Sequence, residues 1–532
     1  MGKHVEKRRF THDTVAIGTA MLMTLLGCGS SESRDLNRVA TDKGVVVGIE
    51  KGTMRQFLGI PYAAPPVGQL RWRAPQAVAA WSQARNSSTF GPACAQPGGA
   101  TGAAGTAEDC LYLNVFTPTG PGPFPVMVWV HGGELTTGEG ALFDPTALVN
   151  QGIIVVTINY RLGVLGFLAH AALSAEGDGT SGSYGLMDQQ AALRWVKTNI
   201  ASFGGNPGNV TLIGESAGGF SVHAQMASPG AAGLFHKAIV QSGAYFESIA
   251  PPMLAAAQTV GAEFASQAGC GDQSLACLRA LPVDKIVGLS TTIRTGGQML
   301  PAVGTPFLPI PIDEAFSTGK FNKVPVIEGT NLDEYSFISG TSIDPALGHP
   351  ISAAEYPGFV TQMFGTELAS TILDYYRLNT TNTPAQTFDD VGTDFLFACS
   401  GRKVVRRFAA AGLPVYAYEF ADTNAPQFIA FPPRPEGYGA YHAAEIQYIF
   451  PVNGTDSMSA TPFTAAQADL SRKMVSFWAQ FAKSGNPNAS GSTEWPRYDA
   501  ASDTYLTLAP GALATNTRFA EQHKCAFWTP GV

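Results

Sequence analysis

The chain has 532 residues, of which 45% are hydrophobic and only 14% charged, with 59 Gly and 36 Pro. Bulk disorder is excluded, because it goes with lower hydrophobicity and more charge, and the length supports a large core in one domain or several. The net charge is −8 and no Lys/Arg run lies beyond the first ten residues, which argues against nucleic-acid binding.

In chain order, the N-terminus reads as a targeting segment. Lys3, Lys7, Arg8 and Arg9 form a basic region. An apolar stretch follows over residues 15–26, shorter than the roughly 20 residues that span a bilayer. It ends Leu25-Leu26-Gly27-Cys28 before Gly29-Ser30-Ser31, a pattern similar to a bacterial lipoprotein signal in which Cys28 carries the lipid. The expectation is a signal over 1–27, a linker over 28–45 and one folded domain over 46–532. An acidic body gains nothing from anionic lipid, so membrane attachment is expected only through acyl chains on Cys28. The expected location is the outer membrane or cell surface, or otherwise the periplasm or medium.

Six cysteines remain: Cys94, Cys110, Cys270, Cys277, Cys399 and Cys525. An exported chain with six cysteines suggests three disulfides, with many pairings open. Cys94 with Cys110 and Cys270 with Cys277 are local pairs, which leaves Cys399 with Cys525. None falls in a Cys/His ligand cluster, and no cofactor motif is present, so neither metal nor cofactor is expected. Residues 97–107 (PGGATGAAGTA) read as a flexible loop inside the first pair.

Residues 125–130 (PVMVWV), 152–159 (GIIVVTIN) and 209–214 (NVTLIG) are short apolar runs rich in β-branched residues and bounded by Gly, Pro or Asn. Such runs suit the buried strands of a parallel sheet. Residues 187–203 carry apolar positions at helical spacing between two of them. Residues 238–241, 324–328 and 415–419 are further strand candidates. Alternation of strand and helix through the chain predicts an α/β sheet.

The strand at 209–214 runs into Gly214-Glu215-Ser216-Ala217-Gly218 and then a helix-compatible 220–226. This is G-x-S-x-G in a strand–turn–helix context, which marks Ser216 as a candidate nucleophile. An oxyanion hole is expected from backbone N–H groups of the glycines after the strand at 125–130, Gly133 among them, and of Ala217. His131, at the strand end beside these glycines, is expected to support the loop.

These motifs, with FLGIPYAAPPVGQLRW at 57–72, EDCLYLNV at 108–115, NYRLGVLGF at 159–167, GTNLDEYSF at 329–337 and YHAAEIQYIF at 441–450, resemble the type-B carboxylesterase family. The resemblance implies an α/β-hydrolase fold: a large, mostly parallel sheet flanked by helices, with long insertions around an active-site gorge. It implies a serine ester hydrolase whose triad is Ser216, Glu334 of the DE motif and His442 of the H-x-x-E motif. It also places Glu215 and Ser242 as supporting polar residues and favours the three disulfide pairs given above. Small-molecule or polymeric esters are the expected substrates, and lipase or polyesterase specialisation stays open, although no clear amphipathic lid is visible. A catalytically silent, adhesion-type member of the family is the alternative, disfavoured because all three triad residues are present.

Two departures stand out. The family's oxyanion loop reads Gly-Gly-Gly or Gly-Gly-Ala, whereas this one reads Gly132-Gly133-Glu134. Either Glu134 faces the acyl pocket and selects polar or cationic substrates, or it points outward or is satisfied by Thr136 or Thr137. The loop between Cys94 and Cys110 lacks the aromatic with which cholinesterases bind quaternary ammonium, which implies a broader, more open gorge.

Overall fold

Short strands of β-branched residues, with alternate side chains on opposite faces, organise the protein around one sheet. The computed structural model describes residues 36–98, 104–177, 179–293, 299–428, 431–450, 461–490 and 494–531. The signal expected over 1–27 and the lipid-bearing Cys28 lie outside these residues. Asn37–Val532 is one compact unit. It begins earlier than the expected boundary at 46: Arg38–Ala40, inside the stretch read as linker, pairs antiparallel with Val45–Val47. Val39 and Val46 are buried there, a contribution too short to register as an apolar run.

Among the described residues the central sheet has eleven strands. In chain order they are β1 (Ile49–Lys51), β2 (Met54–Pro61), β3 (Tyr112–Pro118), β4 (Phe124–Val130), β5 (Ile154–Ile158), β6 (Gly205–Glu215), β7 (Lys237–Gln241), β8 (Val326–Asn331), β9 (Val415–Phe420), β10 (Tyr505–Ala509) and β11 (Ala512–Asn516). Their spatial order is β11-β10-β9-β8-β7-β6-β4-β5-β3-β2-β1. The block from β5 through β10 is parallel, and antiparallel strands close both edges. This is the α/β architecture expected from the strand–helix alternation.

Along β4, Val126, Val128 and Val130 enter one core while Met127 and Trp129 enter the other. The first core is covered by the helices Tyr184–Asn199, Ala217–Ala227 and Cys399–Ala410, and the second by Ala465–Ser484. Both faces being covered is why the central strands read as continuous apolar runs instead of alternating ones. Among the described residues no helix is long and apolar enough to cross a membrane.

Disulfides join Cys94 to Cys110, Cys270 to Cys277 and Cys399 to Cys525. The segment 97–107 is not all loop: Thr106–Ala107 pairs in parallel with Ala93–Cys94, beside the first disulfide.

In an open α/β sheet, ligands bind beyond the carboxyl ends of the strands, where the strand order reverses. Here the reversal flanks β4, since β5 lies on one side of it and β6 on the other. The ends of β4, β6, β7 and β8 lie level, with Val130 opposite Gly214, Glu215 opposite Gln241 and Gln241 opposite Gly329.

Candidate active site

β6 passes into the helix Ala217–Ala227 through one residue. Ser216 takes φ 53° and ψ −122°, a strained conformation for a residue with a Cβ. The turn is this tight because the flanking glycines remove atoms: a Cβ on Gly214 would lie 2.4 Å from the Gly218 carbonyl carbon, and one on Gly218 would lie 2.0 Å from Val130 O. The glycines therefore supply room, and Ser216 itself carries the unusual dihedrals. Its N–H donates to Gln241 O at 2.9 Å, and its side chain is half-buried. Ala217 opens the helix, so its N–H has no partner one turn earlier and is available to a ligand.

The loop after β4 lies against this turn, where a Cβ on Gly132 would come within 3.2 Å of Ser216 Cβ. Its peptide groups are oriented by their carbonyls. His131 Nδ1 lies 2.9 Å from Gly132 O, so Nδ1 carries the proton and donates. Thr136 N–H and Thr137 N–H both donate to Gly133 O at 2.9 Å, and both threonine hydroxyls add weaker bonds to it. In a trans peptide C=O and N–H point oppositely, so the N–H groups of Gly133 and Glu134 are aimed away from those partners. His131 stacks on Tyr160, whose hydroxyl donates to His131 O at 2.8 Å. Burial lowers its pKa to about 4, which keeps the ring neutral. Gly133, Glu134 and Leu135 have φ of 95°, 55° and 59°. Leu135 is buried in the core and the Glu134 side chain is exposed.

Glu334 opens a short helix just past β8 and is fully buried. Its Oε1 accepts from Ser242 Oγ at 2.5 Å and from Thr330 Oγ1 and Asn331 N–H at 2.8 Å each. Its Oε2 lies 2.5 Å from His442 Nδ1. The loop carrying His442 follows β9 and is pinned to Asp333, whose Oδ2 accepts Ala440 N–H at 2.7 Å. Gly439 is required there, because a Cβ would sit 2.2 Å from that oxygen.

On its other side, His442 Nε2 faces Glu215 Oε1 at 3.4 Å. No hydrogen bond joins Ser216 to His442 among the described residues; such contacts commonly form only when substrate is bound. Glu445, one turn beyond His442, accepts from Gln241 Nε2 at 2.9 Å and Asn331 Nδ2 at 2.6 Å. Burial pushes the pKa values of Glu215 and Glu445 up. Burial alone would lower that of His442, but the carboxylates of Glu215 and Glu334 outweigh it and hold it above the ordinary imidazole value.

The structure thus gathers Ser216, Ala217, Gly133, Glu134, Glu215, Ser242, Glu334 and His442 at the carboxyl ends of five neighbouring strands. The sequence reading missed Thr330, Asn331, Gln241 and Glu445. Glu445 had a signal, its spacing from His442. His523, near the C-terminus, is buried, with Nδ1 at 2.5 Å from Asp394 and Nε2 at 2.6 Å from Glu419. Burial disfavours its charged form, but the two acids outweigh that and raise its pKa to about 10. Among the described residues no group of His, Cys, Asp and Glu is arranged to hold a metal.

Comparison with known proteins supplies the context for this geometry. The model of the carboxylesterase family matches residues 35–528. Carboxylesterase 1D of Rattus norvegicus is 33% identical, covering 89% of this chain and 88% of its own length. The fumonisin B1 esterase of Sphingopyxis macrogoltabida is 36% identical over 86% of this chain and 84% of its own. A solved structure of a PNB esterase superposes with a TM-score of 0.77 at 32% identity, over 92% of this chain and 99% of that one.

Proposed function

Because the chain belongs to the carboxylesterase family and is a carboxylic ester hydrolase, we propose that Ser216, His442 and Glu334 carry out that hydrolysis through an acyl-enzyme. The observation that carries the reading is the Glu334–His442 bond beneath a serine held at a strand–helix turn. His442 Nε2 takes the Ser216 proton as Oγ attacks the ester carbonyl. Glu334, held by three donors on Oε1, fixes the ring through Nδ1–H and stabilises the imidazolium. The N–H groups of Gly133, Glu134 and Ala217 bind the tetrahedral oxyanion. The imidazolium protonates the departing alcohol. Water activated by His442 then clears the acyl group from Ser216.

Small-molecule esters are the proposed substrates. Export with a lipid on Cys28 is proposed from the N-terminal pattern, and it is supported by three disulfides, which are kept in oxidising compartments. Hydrolysis of a p-nitrophenyl ester chain-length series tests the catalytic reading. Ser216→Ala is expected to lower kcat by about 10⁴-fold or more with the fold intact by circular dichroism. Retained turnover in that variant overturns the assignment.

A further inference from the structure

A second imidazole–carboxylate couple lies behind the triad, and the hydrolysis described above makes no use of it. His223, on the second turn of the helix Ala217–Ala227, and Glu328, in β8, are both buried. His223 Nε2 lies 3.0 Å from Glu328 Oε2. Phe246, Phe316 and Phe408 surround the ring, with centroids 5.2, 5.4 and 6.0 Å away. Among the described residues Glu328 Oε1 has no partner, and neither residue pairs with Lys or Arg. A buried couple of this kind is commonly no more stabilising than apolar residues that would fill the same space, so stability alone gives no reason for it. On the other side of the ring, Nδ1 lies 3.4 Å from Gly243 O. A carbonyl accepts and cannot donate, so one hydrogen sits on Nδ1 and a second lies between Nε2 and Oε2. Burial pushes the Glu328 carboxyl up, and the facing imidazole opposes that. Whichever of the two holds the second proton, Nδ1–H stays turned to Gly243.

Gly243 ends the turn Gln241-Ser242-Gly243, on which both ends of the triad lean. Gln241 O accepts the Ser216 N–H at 2.9 Å. Ser242, at φ 52°, donates its N–H to Gly329 O at 2.8 Å and its hydroxyl to Glu334 Oε1 at 2.5 Å. Gly243 itself presses on the nucleophile's helix, since a Cβ there would lie 2.4 Å from the Gly219 carbonyl carbon and 2.6 Å from Phe220 N. Resting on the esterase reading, we infer that His223 and Glu328 are positioning residues: Glu328 fixes the ring of His223, and the ring's Nδ1–H fixes the turn that aligns Ser216 with Glu334. Neither residue touches the reacting atoms. A small displacement of this turn moves nucleophile and acid out of register, which slows the chemical step and leaves substrate binding nearly untouched.

The test is kcat, KM and Tm of the full-length protein, with the best p-nitrophenyl ester of the chain-length series, for two single variants that each keep one half of the couple. His223→Gln reaches Glu328 as Nε2 does but offers nothing to Gly243. His223→Asn places an amide N–H where Nδ1 stands and leaves Glu328 without the ring. If the couple served stability alone, Gln would be the milder change in every measurement, because it leaves no carboxyl unpartnered. Positioning reverses the order for rate. His223→Gln is expected to melt nearer wild type yet lose about tenfold in kcat, with KM within about twofold. His223→Asn is expected to melt lower yet keep kcat within about threefold of wild type. A kcat that follows Tm, a loss taken in KM instead of kcat, an Asn variant as slow as the Gln variant, or a Gln variant at the wild-type kcat overturns the inference and leaves the esterase reading standing. Should the Asn variant fail to fold, the Gln variant decides by itself. A wild type inactive across the ester series overturns the esterase reading, and the inference with it.

Discussion

At His442 two carboxylates act on one imidazole through different nitrogens, and they have different consequences. Glu334 holds Nδ1 and thereby the tautomer, while Glu215 faces Nε2, the nitrogen that must accept the serine proton. Because the pair raises the imidazole pKa, hydrolysis of a neutral ester is expected to increase with pH through that raised value as the ring loses its proton. Glu215→Gln removes one negative charge, so the imidazolium is less stabilised and the acid limb of the kcat/KM profile should move about one pH unit lower. A limb that stays put would show that Glu215 does not act on His442. His131 works through a peptide instead of a charge. His131→Phe keeps a ring against Tyr160 but loses the Nδ1–H that orients the Gly132 carbonyl. The expected result is a kcat lower by roughly ten- to a hundredfold with KM little changed, since the lost interaction is made in the transition state.

At the scale of elements, the site depends on how closely the helix Ala217–Ala227 approaches the end of β4. Gly218→Ala would place a Cβ 2.0 Å from Val130 O, so helix and strand must separate. The expected cost is about 1–3 kcal/mol, read as a lower Tm, with activity falling alongside because the same shift moves Ala217 from the oxyanion loop. Elements with strong local signals were the ones legible in the sequence. β4, β5 and β6 announce themselves as apolar runs bounded by Gly, Pro or Asn because both sheet faces are covered. Arg38–Ala40, Ile49–Lys51 and Ala512–Asn516 do not, lying at the margins, where few of their described side chains are buried. Ser216 was legible for the same local reason, a strand, a turn and a helix in one stretch. Glu334 was not, since an acid after a strand looks like any surface acid; only the family resemblance singles it out. Asn331 and Gln241 reach Glu445 across 114 and 204 residues of sequence, which no local pattern encodes.

Over the whole molecule, the C-terminal segment is bound to the body by charge as well as by sulfur. His523 is sandwiched between Asp394 and Glu419, next to the Cys399–Cys525 disulfide. Its pKa of about 10 in the folded protein lies above the ~6.5 of an exposed imidazole. The protonated form therefore favours the native state fully below about pH 6.5, and that contribution is lost as pH rises through 10. Tm is expected to fall between pH 7 and pH 10. His523→Gln should flatten that fall, while being less stable near neutrality because Glu419 loses its counter-charge and Asp394 keeps only Lys524 at 3.9 Å, a cost of about 3–5 kcal/mol. A variant whose Tm tracks wild type across this range would contradict the assignment.

The same cross-connection sets a timetable for the nascent chain. Cys399 is separated from its partner by 126 residues, and Asp394 and Glu419 lie 129 and 104 residues before His523. At a synthesis rate of roughly 5–20 residues per second, that interval lasts roughly 6–25 s. Until then Cys399 lacks its disulfide partner, and Asp394 and Glu419 lack His523. The sheet can begin to assemble early, but it cannot be sealed until the last segment arrives. Any thiol-disulfide catalyst or chaperone that attends this protein has its window of action there.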